Sequence, residues 1–197
     1  MVKIDNKYPR LFFTFPLIGT EELGFPFIIN STSFDPKKER DGVYLNSNGD
    51  NSNGITKNKE LISQSLEVAT SIFPKIIKDN NITDVFNIFD FSISKDYSWV
   101  DDKWFNDLKN NQISKLNKTA CILYADKFNK LSELHIPYSR NQELVYNIWV
   151  LLDDSKSFKS IPNSEIDNWI SVARNYAKLR DIDVFEIVNI VGSKLLI

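Results

Sequence analysis

Apolar residues follow two patterns along the chain. Residues 11–18 and 25–34 are short runs rich in Phe and Ile, which is typical of strands in a small sheet. Pro16 has no main-chain N–H, so it places the first strand at a sheet edge or ends it. Between residues 57 and 78 the apolar positions instead recur every three or four residues, which predicts a long helix with one buried face. The residues of that face are Ile62, Leu66, Ala69, Phe73 and Ile76.

Loop-forming residues separate these elements. The segment 34–45 (FDPKKERDGVYL) contains Pro36 and Gly42, which predict an irregular charged loop after the second strand. Residues 46–54 (NSNGDNSNG) have the composition of a mobile surface turn. Pro74 is expected to kink the long helix or to begin its last turn.

The remainder of the chain mixes strand-like and helix-like segments. Ser98 and Asp101 resemble a capping box at the start of a helix that carries Trp104. Residues 119–125 predict a strand, and residues 131–138 are expected to continue the β layer. The later segments with helical spacing of apolar residues are 140–153, 162–173 and 183–191, and the β-branched residues of the last one leave a strand open as an alternative.

These elements predict an α+β fold in which a small mixed sheet is covered by a long helix and followed by a mostly helical C-terminal part. We place a boundary after residue 136, so that residues 1–136 form an α+β domain and residues 137–197 a helical subdomain. Apolar segments lie close to both chain ends, whereas natural termini are usually polar. The sequence is therefore expected to be a fragment of a longer protein.

Composition narrows the class of protein. Apolar residues make up 42% of the chain and charged residues 25%, and a net charge of −2 gives no overall attraction to nucleic acid. No apolar run approaches the roughly 20 residues of a membrane helix, and no signal-peptide pattern is present. Cys121 is the only cysteine, which excludes an internal disulfide and a cysteine-based zinc site. We expect a cytoplasmic protein with no metal and no membrane partner.

Sequence motifs for catalysis are missing. The chain has no Walker-type phosphate loop, no dinucleotide fingerprint and no nucleophile elbow. His135, the single histidine, and Cys121 both lie in apolar segments typical of packed core residues. Trp104, Trp149 and Trp169 have the spacing of helix core residues. A free-standing enzyme would have to use His135, so it is the least supported of three functional hypotheses.

The charged loop at residues 34–45 is where we expect chemistry. Lys37, Lys38 and Arg40 cluster directly after a strand that would hold the base of the loop. Arginine suits phosphate because its planar guanidinium donates two parallel hydrogen bonds. A second interpretation stays open, in which the three acidic residues of the loop neutralise these bases and leave a charged hairpin without a ligand.

Residues 9–45 resemble a segment of bacterial sacsin-like proteins, which are histidine-kinase-like (GHKL) ATPases related to the ninety-kilodalton heat-shock chaperone. The matching phrases are FTFPLIGTE, FPFIIN and ERDG, and beyond residue 100 only HIPY followed by a tryptophan-containing helix is similar. In that family the segment lies downstream of the nucleotide-binding domain, whose signatures are not found in these 197 residues. The resemblance implies a middle or transducer-type domain, which would not hydrolyse ATP alone although its parent protein would.

The resemblance also implies a role for Arg40. In the chaperone family the middle domain offers an arginine, from a loop between a strand and a long helix, to the γ-phosphate of ATP held in the first domain. Arg40 looks comparably placed, with Lys37 and Lys38 as lesser candidates, and such an arginine stabilises charge in phosphoryl transfer. ATP with magnesium is then the cofactor of the parent protein. Its nucleotide-binding domain and a protein client are the implied partners.

The alternative hypothesis is an interaction module with no nucleotide role. Such a module would bind protein, or less expectedly nucleic acid, through its apolar and tryptophan-bearing helices. The two hypotheses differ in whether function depends on nucleotide and on Arg40.

Overall fold

The computed structural model describes residues 4–5, 7–46, 52–80, 82, 85–89, 91, 93, 97–124, 126–134, 136–137 and 181–182. The chain divides into two compact units, Met1–Leu116 and Asn117–Ile197. This division lies before the boundary expected after residue 136. That boundary stays a prediction, because residues 138–180 lie outside the described part. The helices expected at residues 140–153 and 162–173, with Trp149 and Trp169, also lie outside it, as does the segment 183–191.

The first unit opens with a small mixed sheet. Its strands are β1 (Leu11–Phe13), β2 (Phe15–Pro16) and β3 (Ile29–Asn30), in the order β2-β1-β3. β1 pairs antiparallel with β2 and parallel with β3. The predicted single strand at 11–18 is wrong in one respect, because the chain reverses at Thr14, whose φ is +52°. Pro16 lies on the edge strand β2, as its missing N–H predicted.

A long helix, α1 (Ser52–Asp79), lies beside this sheet. The ring of Phe27, which precedes β3, packs edge-on against Phe73 of α1 with ring centroids 5.9 Å apart. Ile62 and Leu66 are buried as predicted, but Ile76 is 41% exposed and Ile77 is fully buried in its place. The reason is the helical repeat, since Ile77 lies one turn after Phe73 on the same face.

The start of α1 differs from the expected one, whereas its end agrees with the prediction. The helix already begins at Ser52, inside the segment 46–54 expected to be a surface turn, while residues 47–51 lie outside the described part. It continues through Pro74 to Asp79. The loop before α1 is therefore shorter than its composition suggested.

A second helix, α2 (Asp102–Asn117), packs on α1 in the first unit. A buried hydrogen bond of 2.9 Å joins Thr70 Oγ1 on α1 to Gln112 Oε1 on α2. The first residue of α2 follows Asp101, whose Oδ1 accepts the N–H of Trp104 at 3.0 Å. Asp101 is therefore the N-cap, and the expected capping role of Ser98 is wrong. A 3₁₀ turn at Phe86–Phe89 completes the described elements of this unit.

Arg10 is a buried structural cation next to β1. Only 4% of its surface is exposed, and its Nη1 and Nη2 atoms donate to the carbonyl oxygens of Tyr8, Asp5 and Ile4 at 2.8, 3.2 and 3.0 Å. Burial lowers the pKa of the guanidinium, while the nearby Asp5 carboxylate opposes that shift. Arg10 ties the residues before β1 to the sheet.

The second unit contains a hairpin of β4 (Ala120–Tyr124) and β5 (Lys127–Lys130), so the strand predicted at 119–125 is confirmed. A 3₁₀ turn at Leu131–Glu133 follows. Strand β6 (Ile136–Pro137) pairs in parallel with β7 (Asp181–Ile182).

Helices together with small sheets confirm the α+β class predicted from the sequence. In the described ranges, no helix combines the length and the apolar character that crossing a bilayer requires.

Candidate functional site

The charged segment 34–45, called here the Arg40 hairpin, is a short ordered hairpin. Pro36 and Val43 form an antiparallel bridge, and Lys37 N donates to Gly42 O at 3.0 Å. The turn closes when Arg40 N donates to Lys37 O, also at 3.0 Å. The loop predicted here is thus held by main-chain hydrogen bonds across its base.

Asn58 on α1 fixes both arms of the Arg40 hairpin. Its side chain is fully buried, and Nδ2 donates to the carbonyl oxygens of Asp35 at 2.9 Å and Tyr44 at 3.0 Å. Its Oδ1 accepts the N–H of Asp35 at 2.8 Å. One amide therefore satisfies three main-chain groups on opposite sides of the hairpin, which a side chain without both a donor and an acceptor cannot do.

Two glycines let other segments approach the second arm of the hairpin closely. A Cβ atom at Gly42 would lie 2.7 Å from the ring of Trp99, so only a glycine fits between the arm and the indole. Gly19 has φ +119°, and a Cβ atom there would lie 2.7 Å from the carbonyl oxygen of Asp41. The second arm of the hairpin thus packs against Trp99 at Gly42 and against the turn at Gly19 at Asp41.

The segment that carries Trp99 is anchored by polar contacts of its own. Lys59 Nζ lies 2.6 Å from Asp101 Oδ2. This hydrogen bond, helped by the N–H of Trp104, lowers the pKa of the Asp101 carboxyl. The ring of Tyr97 contacts that of Trp99 in a tilted arrangement with centroids 5.2 Å apart, and the Tyr97 hydroxyl oxygen accepts the N–H of Glu22 at 3.2 Å. Burial raises the pKa of Tyr97.

Charges at the tip of the hairpin are only partly neutralised within it. Lys37 Nζ lies 3.0 Å from Asp41 Oδ1, so this lysine is paired with a carboxylate of its own hairpin. Lys38 and Glu39 are exposed. Local neutralisation, which was the second interpretation of the sequence, thus describes Lys37.

Arg40 occupies a different environment from Lys37. Its side chain is exposed and its main chain is left-handed, with φ +58°. The guanidinium carbon lies 4.9 Å from the ring centroid of Phe15 on β2. Within the described residues, no carboxylate lies within ion-pair distance of Arg40. A cation held against an aromatic face retains N–H donors for an incoming acceptor.

The sequence also singles out Cys121, Trp104 and His135. Cys121 is fully buried in β4 and belongs to the second unit. Trp104 is half-buried on α2, with Lys59 Nζ 5.4 Å from its ring centroid. His135 lies outside the described residues.

Sequence reasoning missed Asn58, Phe15 and Trp99 as parts of the site. Asn58 lies one helical turn before Ile62 on the buried face of α1, and a polar residue within an apolar stripe is the signal that marks it. Phe15 and Trp99 are distant in sequence from the hairpin they contact, so no local pattern identifies them.

Comparisons of the chain with protein-family models, with curated proteins and with solved structures found no match. The resemblance to sacsin-like proteins therefore stays a prediction from the sequence phrases of residues 9–45 and from the HIPY segment.

Proposed function

We propose that the chain is a non-catalytic coupling domain whose Arg40 hairpin contacts an anionic phosphate group held by another domain. In the form implied by the sequence resemblance, that group is the γ-phosphate of magnesium-bound ATP in a GHKL nucleotide-binding domain of the same cytoplasmic parent protein. The observation that carries the proposal is the contrast within one turn: Lys37 is paired with Asp41, while Arg40 is exposed against Phe15.

The hydrogen bonds of Asn58 at the base of the hairpin support this proposal energetically. A loop that is ordered before binding loses less conformational entropy when its side chain meets a ligand. Asn58 holds one residue in each arm, so less of the hairpin remains to be ordered when Arg40 meets a ligand.

The contact between Arg40 and Phe15 does not prevent phosphate binding. An exposed cation–π contact contributes about 0.5–1 kcal/mol. Hydrogen bonds between a guanidinium and a phosphate are charge-assisted and about twice as strong as neutral ones. The aromatic ring can orient the guanidinium, while the N–H groups at the edge of the guanidinium donate to phosphate oxygens.

The test is ATP turnover by the parent's nucleotide-binding domain with this chain added in trans. We expect wild-type chain to raise turnover and Arg40→Ala to lose that stimulation, because an arginine at the transferred phosphate contributes about 10³-fold or more. Lys38→Ala is the matched control, since it removes an exposed neighbouring charge and should retain most of the stimulation.

The proposal fails if Arg40→Ala stimulates turnover as well as wild type does, or if the chain has no effect on turnover. Circular dichroism of each variant shows whether the fold is intact. A lost effect in a folded Arg40→Ala variant then reports on the side chain itself.

A further inference from the structure

The edge of β3 that faces away from β1 has no partner strand among the described residues. Ile29 N donates to Arg10 O at 2.8 Å and Ser31 N donates to Phe12 O at 3.0 Å, so these two residues face β1. Because successive residues of a strand direct their main-chain groups to opposite edges, those of Ile28 and Asn30 point away from β1. In the described part of the chain, no strand pairs with that edge.

This edge lies along a groove whose other wall is α1. The groove has a volume of about 470 Å³, within the range of ligand sites. Two of its lining residues are exposed apolar side chains, Ile28 at 43% and Val68 at 57%. The lining residues are Phe27, Ile28, Ile29, Asn30, Ser31, Leu61, Gln64, Ser65, Val68 and Ala69.

The absence of charged side chains from the groove lining restricts the kind of ligand that the groove can bind. No Asp, Glu, Lys or Arg is among the lining residues, so a charged group entering the groove would lose water without gaining a partner. A nucleic acid backbone would meet no cation there. The groove complements an uncharged segment, because its lining combines apolar side chains with neutral polar ones.

We propose that the groove binds an extended, uncharged peptide segment of another protein, which adds as a strand to the edge of β3. The main-chain groups of Ile28 and Asn30 supply the strand hydrogen bonds, and alternate side chains of the peptide contact Val68 and Ala69 on α1. A sheet edge gives affinity through main-chain bonds while the adjacent pocket gives specificity. A helix cannot occupy the site in this way, because its main-chain groups are already paired.

The probe is a library of seven-residue peptides displayed on phage and selected against the whole chain. Selected peptides are synthesised with blocked ends and titrated into ¹⁵N-labelled protein. We expect sequences uncharged at alternate positions, with saturable shifts of the Ile28 and Asn30 amides. Methylating the peptide nitrogens that face β3 should weaken binding about tenfold or more, because each strand hydrogen bond is lost without altering the protein.

Two variants of α1 form a matched pair for this test. Val68→Lys places a charge in the groove and should weaken binding about tenfold, whereas Ile76→Lys makes the same change at an exposed position outside the groove lining and should leave Kd within about twofold. Three results would overturn the proposal. One is a selection that yields no binder, another is peptides that bind equally when N-methylated, and the third is concentration-dependent dimerisation that protects the same amides without peptide.

Discussion

The base and the tip of the Arg40 hairpin differ in burial and in charge. At the base, Asn58 and Gly42 are buried, and neutral main-chain hydrogen bonds fix the geometry. At the tip, Lys38, Glu39 and Arg40 are exposed and charged. The comparison shows that the residues which attract attention in the sequence are not those that hold the hairpin in place.

This division predicts that stability and ligand contact can be changed separately. A buried amide that loses its role leaves main-chain groups unsatisfied, which costs far more than the loss of an exposed charge. Substitutions at the base should therefore unfold the hairpin, while substitutions at the tip should leave the fold intact.

The largest effect is expected for Asn58→Leu. It removes three hydrogen bonds and leaves an N–H and two carbonyl groups without their partner, so we expect about 3 kcal/mol lower free energy of unfolding in urea. Asn106→Leu, at an exposed position on α2, is the control and should change stability by less than about 0.5 kcal/mol. Equal effects of the two substitutions would contradict the bracing role of Asn58.

A smaller loss is expected for Gly42→Ala. The added methyl group would lie 2.7 Å from the Trp99 ring, and overpacking of this kind costs about 1–3 kcal/mol. Urea unfolding and near-ultraviolet circular dichroism of the indole measure the effect. In a Trp99→Leu background the same substitution should cost less, because the ring is gone. An identical cost in both backgrounds would show that the indole does not limit the space.

The ion pair between Lys59 and Asp101, which anchors the Trp99 segment, predicts that stability depends on pH. The Lys59 hydrogen bond lowers the pKa of Asp101 below its ordinary value of 3.8, so its stabilisation is full above that value and is lost as pH falls through the lower, folded-state pKa. Asp101→Asn keeps a capping side chain but cannot titrate. Between neutral and acidic pH, the free energy of unfolding should therefore fall more steeply for wild type than for Asp101→Asn. Parallel curves for the two proteins would refute the linkage.

The smallest change in stability is expected for Arg40→Ala. Only the contact with Phe15 is lost, so the free energy of unfolding should change by less than about 1 kcal/mol. Thermal and urea unfolding measure it, with Arg40→Lys as the charge-retaining control. A loss of stability as large as that of Asn58→Leu would show that Arg40 also holds the hairpin in place. The contrast between base and tip would then be wrong.

The sequence predicted those features that depend on local patterns. The apolar repeat from Ile62 to Phe73 identified α1, and Pro16 identified an edge strand, because helix faces and missing N–H groups act at short range. The reversal at Thr14 carried no glycine or proline signal at its turn residue. Local propensity therefore indicated one strand where two were formed.

The brace of the candidate site depends on contacts distant in sequence. Asn58 bonds to a residue 23 positions earlier, and Trp99 packs on Gly42 from another loop. Such pairings follow from how α1 and the segment of Trp99 pack, which a single sequence does not reveal. The sequence did single out Arg40, but not the Phe15 ring against which it lies.

The most direct test of the account is the response of the Arg40 side chain to triphosphate. The Nε–Hε resonance is followed by NMR while inorganic tripolyphosphate is added, and Arg10 serves as the internal control because its guanidinium donates to three carbonyl oxygens. We predict a saturable shift of Arg40 with a Kd on the order of 1 mM, no shift of Arg10, and loss of binding in Arg40→Gln. Undiminished binding by Arg40→Gln would contradict the account. So would an Arg40 resonance that does not shift at tripolyphosphate concentrations well above the predicted Kd, with ionic strength held constant.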